Sequence, residues 1–167
     1  MENISVMTNQ IEKVLWSIAF PGFGQILNGK LAKGVIFLGL EFLINVKANL
    51  NQAIVFSFIG DTEQAIHITN YEWIMFYPCV YSFAIWDAFR DAGGSKAAYA
   101  YLPSVFSAYF GTLGVVYSTV FTIFGILLGP ILLGILGLAV GAAFGGIVKM
   151  LITFRNNSKL SKITLPK

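Results

Sequence analysis

The sequence predicts an all-α integral membrane protein: a four-span helical bundle preceded by a short broken re-entrant or interfacial helix. Three observations predict it. Hydrophobic residues make up 56% of the 167-residue chain and charged residues only 11%, against about 25% charged in soluble domains, and the mean hydropathy is +0.73. The apolar residues fall in long runs separated by short polar stretches. The basic residues gather on one side once those runs are threaded alternately through a bilayer. No stretch reads as a linker, so residues 1–167 form a single polytopic domain.

The first apolar run, Val14–Leu27, is split by Pro21-Gly22-Phe23-Gly24-Gln25. Proline removes a backbone donor and clashes with the preceding turn, and a crossing needs about 20 residues. Residues 13–30 are therefore expected to form a broken helix that enters or lies on the membrane, covered by the other helices. A fifth crossing here would move the N-terminus outside, and the run is short for one. Glu2 and Glu12 stand where a cleaved signal would carry basic residues.

Four spans follow, at about 31–49, 73–90, 99–123 and 126–153, and a basic tail at 154–167. In the first span Glu41 and Asn45 are four residues apart and share a face. Lys33 and Lys47 sit at its ends and can snorkel. Trp73 and Trp86 bracket the second span as interfacial aromatics do, with Pro78 expected to kink it. Asp87 and Arg90, at i,i+3, are expected to form a solvated interfacial pair, and Gly93-Gly94 ends the segment.

The last span carries Gly125, Gly129, Gly137, Gly141 and Gly145 in one i+4 register, and the third offers a small face through Ser104, Ala108, Gly111, Val115, Ser118 and Thr122. Small residues let backbones approach where hydrophobicity does not drive association. A tight antiparallel hairpin of these two helices is expected. A homo-oligomer would use the same glycines. Four spans place Lys13, Lys30, Lys33, Arg90, Lys96, Lys149, Arg155 and the tail lysines on one side, and Lys47 on the other. The positive-inside rule then puts both termini in the cytoplasm.

Few residues point to chemistry. Gly24 to Lys30 has P-loop spacing, but Leu31 stands where magnesium needs a hydroxyl. One histidine and one cysteine exclude a Cys-rich metal site and an intrachain disulfide. No cofactor, metal or nucleic acid is expected. Glu41 is the residue to examine, since a carboxylate within a span is a functional candidate by default. Two readings stay open for it: proton or cation handling, or structural pairing with Lys30, Lys33 or Arg90. The candidate polar or hinge residues are Pro21, Gly22, Gly24, Gln25, Asn28, Lys33, Glu41, Asn45, Asp87 and Arg90.

The segment Pro21-Gly22-Phe23-Gly24-Gln25, with Asn28-Gly29-Lys30 and Lys33-Gly34, resembles a pattern in small multi-spanning membrane proteins of Gram-positive bacteria. It is also similar to the first helix and turn of TM2-type domains. The stretch Trp86-Asp87-Ala88-Phe89-Arg90-Asp91 is similar to one in the same bacterial proteins. The chain departs from the TM2 pattern in lacking its acidic-Arg-Phe turn and in having two further spans. The resemblance implies a bacterial cell membrane location and carries no activity. Function is expected to be that of a non-enzymatic accessory, scaffold or complex subunit, partnered by lipid and by a membrane protein or second copy. The alternative is a small-solute or ion permease or channel subunit using Glu41 and the broken helix. A membrane enzyme comes third.

Overall fold

The computed structural model describes the backbone of residues 2–163 and the side-chain surroundings of residues 6–156. Lys159, Lys162 and Lys167 of the basic tail lie outside those surroundings. The described chain is all-α apart from one two-residue-stranded hairpin.

Helix α1 covers Glu2–Ala19, longer than expected because its polar N-terminal half is helical too. Pro21-Gly22 then breaks the chain, with Gly22 at φ 109°, a conformation that costs any residue with a Cβ. The short α2, Phe23–Leu27, folds back and ends at Asn28-Gly29. Helix α3 spans Leu31–Ala48, and Asn49 at φ 56° turns the chain into α4, Leu50–Phe58. Two short helices follow, α5 (Thr62–Ile68) and α6 (Tyr71–Ile74), each capped by a side chain, Asp61 on Gln64 N–H and Asn70 on Glu72 N–H. Side-chain caps of this kind satisfy first-turn donors.

Helix α7 is Tyr77–Asp91, α8 is Leu102–Tyr117 and α9 is Gly129–Ile163. Pro78, Pro103 and Pro130 each lie in the first turn of their helix. Pro78 therefore starts α7 and does not kink a longer span, because the first turn needs no proline N–H. Strands β1 (Thr122–Ile123) and β2 (Ile126–Leu127) pair antiparallel across Phe124-Gly125. Both turn residues have positive φ, 52° and 80°, as a type I′ hairpin turn requires.

Four helical segments run alternately up and down. Lys33 meets Asp87, the Phe37 and Phe83 rings lie 6.0 Å apart and tilted, Tyr77 bonds Glu41, and Asn70 N–H reaches the Ala48 carbonyl at 3.2 Å. That ladder makes α3 antiparallel to α6–α7. Trp86 lies 6.5 Å from Tyr101 and Cys79 is 3.7 Å from Thr112, so α8 returns along α7.

The α8–α9 pair is the tightest. Added side-chain carbon at Gly137, Gly141 or Gly145 would overlap the carbonyls of Phe110, Phe106 and Leu102 respectively, and at Gly114 that of Leu133. Ser107 also donates to the Leu138 carbonyl at 2.9 Å. The α8 face is rotated by about one residue from the expected row. Ser107 and Gly111 meet the glycines, because backbone-to-backbone approach selects the smallest side chains. Gly125 and Gly129 are not part of the stripe. Gly125 is in the hairpin turn, and Gly129, at φ 71°, opens α9 against Thr62.

Among the described residues one helix is long and apolar enough to cross a membrane, through the 28-residue stretch Gly129–Asn156 of α9. The other three expected spans are shorter helices. Helix α3 has 18 residues with Lys33, Glu41 and Lys47 among them, α7 has 15 and α8 has 16.

The glycines divide sharply by surroundings. Gly141→Leu forces backbone apart and is expected to destabilise the fold by about 3 kcal/mol or more, beyond ordinary core overpacking. Gly146, whose added Cβ would meet nothing within 4 Å, should accept Leu with a shift under about 0.5 kcal/mol. Thermal unfolding of the two variants in detergent, followed by helical circular dichroism, checks the contrast.

Candidate functional site

The two sequence motifs singled out above meet at one buried place. Asp87, on α7, is 2% exposed. Its Oδ1 accepts from Lys33 Nζ at 3.0 Å and from the Arg90 guanidinium, and its Oδ2 accepts from Gln25 Nε2 at 3.3 Å. Lys33 also donates to Asp91 Oδ2 at 2.7 Å. Gln25, fully buried, donates through the same Nε2 to the Ala84 carbonyl at 2.7 Å, and Asn28 Nδ2 donates to the Ala88 carbonyl at 2.8 Å. Two amides from the broken segment thus read two successive turns of α7.

Local sequence explains the docking. Gly24 lies against α1 and α7 so closely that a Cβ there would overlap Ser17 Oγ and the Lys13 carbonyl and come within 2.7 Å of the Ala88 methyl. Gly22 faces α3, where a Cβ would sit 2.6 Å from the Gly34 carbonyl oxygen and 2.8 Å from Leu38 Cγ. Pro21 is buried at the turn between them. These glycines and the proline let α1, α2, α3 and α7 converge.

The electrostatics are those of a neutral cluster, Lys33 and Arg90 with Asp87 and Asp91. Asp87 and Asp91 stand in the C-terminal part of α7, and Lys33 in the first turn of α3. Each sits at the helix end whose dipole disfavours it, so direct bonds must offset that cost. Charge-assisted bonds supply more than neutral ones. The expected solvated Asp87–Arg90 pair is corrected accordingly. The i,i+3 pair forms, but its carboxylate is buried and shared with Lys33, which lies 54 residues away in sequence. The side chains of Lys33 and Arg90 remain 39% and 41% exposed.

Glu41 lies elsewhere, higher on α3, and is 6% exposed. Its Oε1 accepts from the Tyr77 hydroxyl at 3.1 Å, and its Oε2 has no hydrogen-bond partner among the described residues. The expected pairing of Glu41 with Lys30, Lys33 or Arg90 does not form: none of the ion pairs among the described residues includes Glu41, and Lys33 and Arg90 bind Asp87 and Asp91 instead. Asn45, on the same face, donates to Asn51 at 3.0 Å and helps hold the turn between α3 and α4. Tyr77 and Tyr81 stack at 5.5 Å and both line an apolar cavity of about 580 Å³ among α4, α7, α8 and α9. The Tyr81 hydroxyl donates to the Ile18 carbonyl at 2.9 Å.

Sequence reasoning missed Asp91, Tyr77, Tyr81, Ser17 and Gly34 as partners. Asp91 was findable, being four residues from Asp87 and so on its face. The rest depend on which helices meet.

Gly24→Ala is expected to release α1 from α7, read as increased proteolysis near Ala19 with the α8–α9 pair intact. Asp87→Asn is expected to destabilise by about 2 kcal/mol. That is below the 3–5 kcal/mol of a fully buried pair, because water screens the half-exposed cations. Denaturant titration checks it, and an unchanged midpoint would mean that the cluster contributes nothing.

Compared with protein-family models, curated proteins and solved structures, the chain matches none.

Proposed function

We propose that the chain is a multi-pass protein of the bacterial cell membrane, with four crossings and both termini cytoplasmic, acting as a non-enzymatic accessory, scaffold or complex subunit. The observation that carries this reading is the inverted distribution of polarity. Large apolar side chains stand exposed on every long helix, among them Leu15 at 59%, Phe42 at 72%, Tyr109 at 60% and Phe154 at 75%. Buried inside are Lys13, Ser17, Gln25, Glu41, Ser57, Ser82 and Asp87. Helix α1 displays the inversion on its own. Met7, Ile11, Leu15 and Ile18 face outward, while Lys13 and Ser17 are buried on the side where α1 meets Gly24. Such a surface suits hydrocarbon, where polar groups must be satisfied internally, and is unsuited to water, where large exposed apolar patches mark interaction sites.

The up-down order of α3, α6–α7, α8 and α9 supports four crossings. At 1.5 Å per residue an 18-residue helix reaches about 27 Å, close to the hydrocarbon thickness of about 30 Å. The lysines near the ends of α3 can snorkel. Residues 71–91 run nearly unbroken through α6 and α7. Helix α1 with α2 makes a re-entrant hairpin, reaching Tyr81 at Ile18 and returning to Ala88 at Asn28.

The accessory reading rests on how the conspicuous polar residues are used. Gln25, Asn28, Lys33, Asp87 and Arg90 bond one another or backbone and so fasten helices. A second reading, a permease or channel subunit, is favoured by one observation, the unpartnered Oε2 of Glu41 beside a tyrosine that lines the cavity. Affinity purification from native membranes in mild detergent should yield a stoichiometric partner or a homo-oligomer. Gly141 is spent within the α8–α9 pair, so partner mapping belongs on outward positions of α3. Gly39→Leu, where no atom lies within 4 Å of the new Cβ, should weaken association and leave the fold intact if α3 is the docking face. A monomer without a partner would count against the proposal. Glu41→Gln should leave association unchanged; loss of reconstituted solute flux on that change would favour the permease instead.

A further inference from the structure

Lys149 is set seven residues before the end of the apolar stretch Gly129–Asn156, among Ile147, Val148, Met150 and Leu151. It is half-buried, and none of the ion pairs among the described residues includes it. A lysine within hydrocarbon reach is costly unless it finds an anion or water. Its surroundings form an open groove of about 570 Å³ between the start of α8 and α9, walled by Pro103, Gly146, Met150, Thr153 and Phe154. Among the described residues Lys149 is the one ionisable side chain in that wall. The floor is open because Gly146 has no side chain, and an added Cβ there would meet no atom within 4 Å. The Thr153 hydroxyl donates to the Lys149 carbonyl at 2.8 Å, leaving its oxygen to face the groove only as an acceptor. Asn156 donates to the Tyr99 hydroxyl at 3.1 Å and ties α9 to the loop before α8.

An apolar trough carrying one cation near the end of a membrane helix is complementary to an amphiphile with an anionic head. Basic pockets between membrane helices on the cytoplasmic side hold such headgroups. We propose that this groove binds an anionic phospholipid of the bilayer, with the Lys149 ammonium on the phosphate and the first chain carbons lying over Gly146 between Pro103 and Met150. The proposal rests on the membrane reading above and assigns the ligand class to a site that reading leaves open.

The test uses the full chain purified in mild detergent and delipidated. It is offered equal phosphatidylglycerol and phosphatidylcholine, and retained lipid is counted by native mass spectrometry. The wild type is expected to prefer phosphatidylglycerol about five-fold, the worth of one lysine at an anionic surface. Lys149→Gln should erase the preference, Lys149→Arg should keep it, and Gly146→Leu should lower retention of both lipids with helicity unchanged. Equal retention by the wild type, or an undiminished preference in Lys149→Gln, would overturn the proposal. Displacement of the lipid by millimolar inorganic phosphate would also overturn it, leaving a simple anion site. Flotation with vesicles in a density gradient separates the two levels. A chain that floats without preference loses only the lipid site, and a chain that does not float loses the membrane reading with it.

Discussion

Asp87 is the residue on which the arrangement of the N-terminal half depends. A carboxylate at 2% exposure requires donors, and here they come from three parts of the chain: Gln25 of α2, Lys33 of α3 and Arg90 of its own helix. Meeting that requirement fixes the position of the α1–α2 hairpin, the start of α3 and the end of α7 together. The glycines at 22, 24 and 34 follow from it, because helices drawn this close leave no room for side chains at their crossings. The polar residues of the broken segment thus act as fasteners between helices.

The C-terminal half is held differently. Helices α8 and α9 meet through backbone against backbone, with Gly137, Gly141 and Gly145 laid on the carbonyls of Phe110, Phe106 and Leu102. One half uses charge and amides, the other shape and dispersion. Both devices fit the proposed lipid setting, where lipid tails remove the hydrophobic drive for helices to associate. The two halves join where α7 lies on α8 and where α4 and α5 reach the start of α9.

Helical class, the break at Pro21, the start of α3, the stop at Gly93-Gly94 and the glycine stripe were legible in the sequence, because each is set by local chemistry or by periodicity. The Asp87–Arg90 contact was legible for the same reason, as a one-turn spacing. The union of Gln25, Asn28 and Lys33 with Asp87, Asp91 and the Ala84 and Ala88 carbonyls was not. It spans more than fifty residues, and spacing within a segment carries no information about which helices adjoin. Pro78 illustrates a second limit. Hydropathy placed the start of its helix too early, so a proline that opens a helix resembled an interior kink. Gly125 and Gly129 were misplaced likewise, being turn residues that happen to share the register of the stripe.

The measurement that bears most directly on the proposed four crossings is sidedness. Single cysteines at Asn9, Glu63 and Lys96, all exposed positions, would be placed in a Cys79→Ser background and challenged in intact cells with a membrane-impermeant maleimide. Four crossings with a re-entrant N-terminal hairpin predict labelling at position 63 alone, with 9 and 96 reacting only after permeabilisation. Labelling of positions 63 and 96 from the same side would contradict it, and the exposed apolar faces would then need a partner other than lipid.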